Sequence, residues 1–138
     1  MTDLAITAAN VVKGSGATYD TGVAGATITA GQLVYKDASD SNKYKLVDSD
    51  SATAAARVVH GIALNGASSG QPLQVQRTGE ITIGATLTVG ETYVASDTAG
   101  GIMPIGDLET GDYVTIIGVG KTSSVLALSI FNSGAVKP

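Results

Sequence analysis

Short runs of apolar residues, in places alternating with polar ones, recur along most of the chain. In residues 72–77, for example, the apolar Leu73 and Val75 alternate with glutamines, as in a half-buried β-strand. Turns rich in Gly, Ser, Asp and Asn separate these runs at short intervals. The predicted strands are residues 33–36, 44–47, 57–64, 72–77, 80–83, 92–95, 113–117 and 125–131. Many short strands joined by such turns predict an all-β fold, a small β-barrel or sandwich.

Two segments depart from this simple pattern. Residues 50–56 combine a capping aspartate with a run of alanines, which predicts a turn or a short helix. In the last predicted strand, Leu126 and Ile130 share one face, but Phe131 lies on the other. A strand that is apolar on both faces is either central in its sheet or buried in an oligomer.

The sequence also resembles itself. The matching pairs are residues 26–35 with 85–94, residues 59–63 with 116–120 and, more loosely, residues 71–75 with 124–128. The spacing between the copies is nearly constant along the first two pairs. This repetition predicts two similar β units, about 26–84 and 85–138, that close on a shared core because neither could bury enough surface alone. Chance similarity in a sequence rich in Ala, Gly, Thr and Val is the alternative.

The predicted organisation is thus a single β domain, residues 26–138, preceded by a different segment. Residues 1–25 are mildly apolar without a clean period and then rich in glycine, which predicts an extended N-terminal arm. A disordered terminus is the alternative. Gly61 and Gly118 interrupt apolar runs at matching places in the two units, which predicts a bulge or a barrel corner at each.

Charge and composition exclude several classes of function. The 138-residue chain has a formal net charge of −4, and its eight Lys and Arg residues are scattered along the sequence. Binding to DNA or RNA is not expected without a basic patch, nor is docking on an anionic membrane. The absence of Cys removes disulfides and thiolate ligands. No apolar run reaches the length of about 18 residues that spans a bilayer. Asp3 stands where a signal peptide carries basic residues, which predicts synthesis in the cytosol.

The segments that could carry chemistry are weak candidates. His60 is the only histidine and lies within an apolar run, so a side chain that meets water or a hydrogen-bond partner is expected rather than a catalytic base. Residues 118–122 end like a phosphate-binding loop, but Thr115 stands where that loop needs glycine, and a hairpin turn is expected instead. Residues 14–16 lack the third glycine of a dinucleotide-binding loop.

Acidic residues give the remaining candidates. Residues 37–42 alternate oxygen-bearing side chains, a little like a calcium loop, and Asp48 and Asp50 follow nearby. The central glycine and closing glutamate of that loop are missing, so a solvated acidic hairpin is expected, with weak Ca²⁺ binding as the alternative. Composition does not exclude a carboxylate pair for glycoside hydrolysis, but the chain has no Trp to form a sugar platform. We therefore predict no catalytic residues, no cofactor-binding residues and no metal ligands.

Two segments resemble a known family. Residues 59–76 resemble small capsid decoration (cement) proteins of tailed bacteriophages, in which a strand with Gly, an apolar residue and Ala is followed by a small-residue turn and a strand with Pro and Val. Residues 89–102, ahead of the strand 114–120, are similar to segments of phage head decoration and fibre proteins. The resemblance covers roughly residues 26–131.

This resemblance implies a non-enzymatic virion protein on the outer surface of an icosahedral head. There the family's members, often homotrimers, bridge subunits of the major capsid protein against the pressure of internal DNA. It also implies that an N-terminal arm, here residues 2–16, reaches along the shell. The alternatives are a module of a trimeric tail fibre or adhesin, a secreted carbohydrate-binding β domain and an enzyme.

Overall fold

The computed structural model describes residues 3–138; Met1 and Thr2 lie outside the described residues. Its ten strands are β1 (Val11–Lys13), β2 (Thr18–Val23), β3 (Leu33–Asp37), β4 (Lys43–Leu46), β5 (Gly61–Ala63), β6 (Pro72–Ile83), β7 (Thr92–Ala95), β8 (Ile102–Pro104), β9 (Tyr113–Gly120) and β10 (Val125–Val136). Short 3-10 turns occupy Ala8–Asn10, Ala38–Asp40, Ala54–Arg57 and Ile105–Asp107. Among residues 3–138, no helix is long and apolar enough to cross a membrane.

The strands form one curled antiparallel sheet in the order β4-β3-β5-β6-β10-β9-β7-β8, with β1 and β2 added alongside β6. The sheet curls into a half-barrel, with 46% of the chain in strands and 10% in helical turns. The predicted all-β barrel or sandwich is confirmed.

The two predicted units have the same strand order, and the pairs β3–β5 and β7–β9 have the same register. Reading outward from the β6–β10 pair, β6-β5-β3-β4 in the first unit corresponds to β10-β9-β7-β8 in the second. Val34 pairs with Gly61 across β3 and β5, as Tyr93 pairs with Gly118 across β7 and β9. The sequence matches residue 34 to residue 93 and residue 61 to residue 118, so the repetition extends to the backbone pairing.

The units nevertheless turn different faces toward the shared core. Leu33 and Ile62 of the first unit are fully buried in the main core. Their equivalents in the second unit point away from it: Thr92 is half-buried, and Val119 is 40% exposed. A simple rotation that keeps the same face of each unit toward the core therefore does not relate the two units.

The main core lies between the two halves of the curled sheet and draws on both units. Its members are Val11, Ala30, Leu33, Val47, Val59, Ile62, Ile81, Ile83, Leu87, Tyr93, Ala95, Ile102, Ile117 and Leu126. A second cluster around Tyr44 and Leu73 fills the other face of the first unit. A third, around Val94, Met103 and Leu108, covers the outer face of the second unit.

The segment predicted as an arm is extended and lies along β6. Strand β2 pairs with the first half of β6, and β1 pairs with the second half. Because β5 and β10 pair with the corresponding halves from the other side, β6 gains backbone partners on both edges. Asp3 and Leu4 are also held to the sheet, by the Ser96 hydroxyl and the Ile102 carbonyl respectively. The boundary at residue 25 and any contact of residues 2–16 with a shell stay predictions, and Met1 and Thr2 lie outside the described residues.

The predicted strand over residues 57–64 is wrong in length, because only Gly61–Ala63 forms a strand there. The side-chain amide of Asn132 accepts from the Val59 N–H at 2.9 Å and donates to the Val59 carbonyl at 3.2 Å. A side chain thus replaces the neighbouring strand at this point. The runs predicted separately at 72–77 and 80–83 are one strand, β6. The last strand, β10, extends to Val136.

Gly61 and Gly118 allow neighbouring backbones to approach closely. A Cβ atom at Gly61 would lie 2.3 Å from the Gln76 carbonyl oxygen, and one at Gly118 would lie 2.1 Å from the Ala127 carbonyl oxygen. The predicted bulge is confirmed beside Gly118, where the register of β9 shifts against both β7 and β10. At Gly61 the strand β5 begins instead.

Candidate functional site

His60 lies just before β5 and is fixed by hydrogen bonds on both backbone and side chain. Its N–H donates to the Val34 carbonyl at 2.8 Å, and its own carbonyl accepts from Arg77 Nε at 3.2 Å. Its Nε2 lies 2.8 Å from Oδ2 of Asp20, a residue of β2. The Tyr44 ring packs at a tilt, 5.6 Å away between centroids. The expectation that His60 meets a hydrogen-bond partner is confirmed.

The protonation of this pair follows from burial and contact. Burial lowers the pKa of His60, although the hydrogen bond to Asp20 acts in the opposite direction. The same hydrogen bond lowers the pKa of Asp20. At neutral pH the pair is therefore a carboxylate that accepts from a neutral imidazole. Among the residues the structure describes, no hydroxyl group forms a hydrogen bond with the His60 ring.

A concave pocket of about 510 Å³ opens beside the His60–Asp20 pair. Arg77 lies at its wall, with Nη1 3.8 Å from Asp20 Oδ2 and nearly half of its side chain exposed. The lining residues are Thr18, Tyr19, Asp20, His60, Arg77, Thr78, Ile130 and Asn132. The pocket is polar and open, and its lining comes from β2, β6, β10 and the chain before β5.

Three further cations lie against tyrosine rings around this pocket. Lys13 Nζ is 4.5 Å from the centroid of Tyr19. Lys36 Nζ is 5.8 Å from the centroid of Tyr44. The Arg57 guanidinium carbon is 3.7 Å from the centroid of Tyr113. A cation at this distance from a ring face is stabilised by about 0.5–1 kcal/mol at an exposed site.

Lys36, Arg57 and Arg77 share one surface, because the concavities they line share residues, and Lys13 lies over Tyr19, which lines the large pocket. His60 lines both the large pocket and a concavity of about 250 Å³ that includes Lys36 and Val58. Val58 also lines a third concavity of about 190 Å³, which includes Arg57. Asn132 connects this third concavity back to the large pocket. We call the surface that carries Lys13, Lys36, Arg57 and Arg77 the cationic face.

The loop at residues 37–42 is an acidic hairpin between β3 and β4, as expected. Its carboxylates bind a lysine: Lys45 Nζ lies 2.8 Å from Asp37 Oδ2 and 3.1 Å from Asp40 Oδ2. The hydrogen bond from Lys45 and that from Ser39 hold the pKa of Asp37 at about 2, well below its usual range. The carboxylate oxygens of Asp37 and Asp40, which the calcium-loop alternative would need as ligands, are thus already bonded within the hairpin.

Asp48 and Asp50 do not join that hairpin. Instead, carboxylate oxygens of Asp50, Asp97 and Asp112 lie within 4.8 Å of one another. Burial and a hydrogen bond with Asp50 raise the pKa of Asp48 to about 6. Burial, followed by repulsion from Asp112, raises the pKa of Asp97. The sequence analysis did not identify Asp97 and Asp112 as candidate site residues. Their only indication in the sequence was a position in a predicted turn.

The phosphate-loop-like segment forms the end of β9 and the start of the expected hairpin turn to β10. The Lys121 N–H donates to the Val125 carbonyl at 2.9 Å. The Thr122 hydroxyl accepts from the Ser124 N–H at 3.2 Å and from the Val125 N–H at 3.0 Å. Lys121 forms an ion pair with Glu80. The side chains that would hold a phosphate are thus used to close the hairpin.

Comparison with known proteins adds no relationship: no family model matches the chain, and no curated protein or solved structure matches it significantly. The candidate site therefore rests on the geometry of the chain itself.

Proposed function

We propose that the chain is a capsid decoration protein of a tailed bacteriophage, a homotrimer that binds the outside of the head and stabilises contacts between major capsid subunits. The resemblance of residues 59–76 and 89–102 to such proteins carries this proposal. Residues 59–76 contain β5 and the start of β6. Residues 89–102 contain β7 and reach β8. The resembling segments thus supply strands to both units of the sheet.

Exposed apolar side chains support a structural role. Phe131, the only phenylalanine, is 60% exposed, and Val58 and Val136 are 49% and 45% exposed. Phe131 and Val136 both lie on β10. Burial of these side chains against another protein would remove apolar area from water, which would stabilise a structural contact.

The proposed role involves no catalytic step. A protein that clamps a shell needs a rigid scaffold and contact surfaces. The long β6, paired on both edges, and the core shared by two units provide such a scaffold. The acidic turns and the cationic face are surface regions of different charge. This difference favours one docking orientation over others.

The experiment that tests this proposal combines solution mass with head binding. Light scattering of the purified chain is expected to give three times the monomer mass of 13.7 kDa. The same sample is then sedimented with expanded heads of the phage that encodes it, and saturable binding to the heads is expected. A monomer that leaves the heads undecorated at every concentration would overturn the proposal. A glycan array on the same sample separates it from the adhesin and carbohydrate-binding alternatives.

A further inference from the structure

We propose that the cationic face is the shell-docking surface and that it receives an acidic segment of the capsid protein. This inference rests on the proposed function and adds to it the side of the molecule that makes contact and the chemistry of the partner. The observations behind it are the segregation of charge, the preorganisation of the cations and the continuity of the surface.

Charge on this protein is strongly segregated. The cationic face carries four of the eight basic residues and, in Asp20, one of the twelve acidic residues. The rest of the chain therefore has four basic and eleven acidic residues, a formal charge of −7, although the whole chain has −4. Asp20 is itself held by His60 at 2.8 Å. Complementary charge steers encounter and sets orientation, so an acidic partner is directed to this face and repelled elsewhere.

Three of the four cations of this face are free to take a new partner, whereas Arg77 already lies 3.8 Å from Asp20. In the described part of the chain, Lys13, Lys36 and Arg57 form no ion pair with a carboxylate. By contrast, Lys43, Lys45 and Lys121 each lie within ion-pair distance of an Asp or Glu. An acidic segment can therefore bind the face without first breaking an internal ion pair of Lys13, Lys36 or Arg57.

Tyrosine rings hold Lys13, Lys36 and Arg57 in place, and a backbone carbonyl orients Arg77. Arg57 is packed on Tyr113, and its Nη1 also donates to the Ser51 carbonyl at 3.4 Å. Arg77 is oriented by its Nε bond to the His60 carbonyl. A side chain already confined in this way loses less conformational freedom when a carboxylate binds, so more of the interaction energy remains as affinity. Tyr and Arg are also among the residues most enriched at the centres of protein interfaces.

The shape of the surface fits a segment of chain better than a small ion. The three linked concavities, of about 510, 250 and 190 Å³, surround the stretch from Arg57 to His60. Val58, at the centre of this stretch, is 49% exposed and provides an apolar contact between the charged positions. An acidic segment with an apolar side chain between its carboxylates matches this arrangement.

Charge reversal separates this inference from the proposed function. Lys36→Glu and Arg57→Glu, alone and together, change the cationic face. Lys43→Glu is the matched control: it makes the same change in net charge, but Lys43 lines none of the three concavities and its ion pair with Asp40 is long, 3.8 Å. Each variant is checked for native circular dichroism and for its melting temperature, and its affinity for expanded heads is measured by co-sedimentation at two salt concentrations.

We expect Lys36→Glu and Arg57→Glu each to weaken head binding by more than about tenfold, with a further loss in the double variant. Lys43→Glu should stay within about twofold of wild type, and wild-type affinity should fall as salt rises. If all variants bind heads like wild type, the inference is overturned while the proposed function stands. If wild type itself fails to bind, both are overturned. Binding of the face to double-stranded DNA, lost in the reversed variants while head binding persists, would also overturn it.

Discussion

Ile62 and Val119 provide the sharpest test of how the two units share one core. They occupy equivalent positions, facing Leu33 and Thr92 in matching registers of the two units. Ile62 is fully buried in the main core, whereas Val119 is 40% exposed on the outer surface. Truncation of each residue to Ala therefore tests whether its contribution to the free energy of unfolding follows its position in the sequence repeat or its burial in the fold.

The expected magnitudes follow from burial. Ile62→Ala removes three carbon atoms from a fully packed site, so its cost combines lost burial with a cavity and should be about 3 kcal/mol. Val119→Ala removes two carbons that are only partly buried, which should cost less than about 1 kcal/mol. Val34→Ala is the control matched in size to Val119→Ala; because Val34 is fully buried, its truncation should cost about 2 kcal/mol.

Urea unfolding, followed by far-ultraviolet circular dichroism and by tyrosine fluorescence, measures these free energies. Coincident transitions by the two probes would show that both units unfold together, as a shared core requires. If Val119→Ala costs as much as Ile62→Ala, or if the two probes report separate transitions, the reasoning about faces and a common core is refuted.

Three other predictions concern single sites. Gly118→Ala should destabilise the protein by more than about 2 kcal/mol, because its Cβ would meet a backbone oxygen of β10 at 2.1 Å, whereas Gly106→Ala, with open space around it, should change the melting temperature little. Asp48→Asn should stabilise the fold by about 1 kcal/mol at pH 7 after allowance for solvent screening. Because the folded-state pKa of Asp48, about 6, exceeds its ordinary value of 3.8, wild type gains stability as pH falls through this range, and unfolding curves of the two proteins should converge near the lower of these values. Asp20→Asn should lower the pKa of His60 further, since Asp20 is the partner that raises it; the ring-proton resonance of this only histidine reports the shift, and an unchanged pKa would contradict the observed contact.

Local patterns and repetition predicted most of the architecture. Period-two alternation and turn residues located seven of the ten strands, whereas β1, β2 and β8 were not predicted. Residues 26–35 and 59–63, which match residues 85–94 and 116–120 in sequence, contain backbone pairs in the same register as their matches. These features depend on residues close in sequence or on direct similarity, which a single sequence displays. The length of the strand near residue 60 was missed because the side chain of Asn132, distant in sequence, replaces its backbone partner.

The sequence did not predict which face of each strand is buried, nor did it predict the candidate site. Both depend on contacts between residues that are distant in sequence. Whether Ile62 or Val119 points inward depends on how the two units curl onto each other, which alternation within one strand does not specify. The basic residues are scattered in the sequence, yet four of them meet on one surface because β1, β3, β6 and the turn before β5 converge there. The acidic residues Asp50, Asp97 and Asp112 similarly meet through three separate turns.

The measurement that tests the central claim most directly is an electron cryo-microscopy reconstruction of heads of the phage that, under the proposed function, encodes this chain. The account predicts protein density outside the shell that fits the half-barrel, with Lys36 and Arg57 turned toward acidic residues of the capsid subunits. Heads that contain the chain but show no such density, or density in which the cationic face points to solvent, would contradict it.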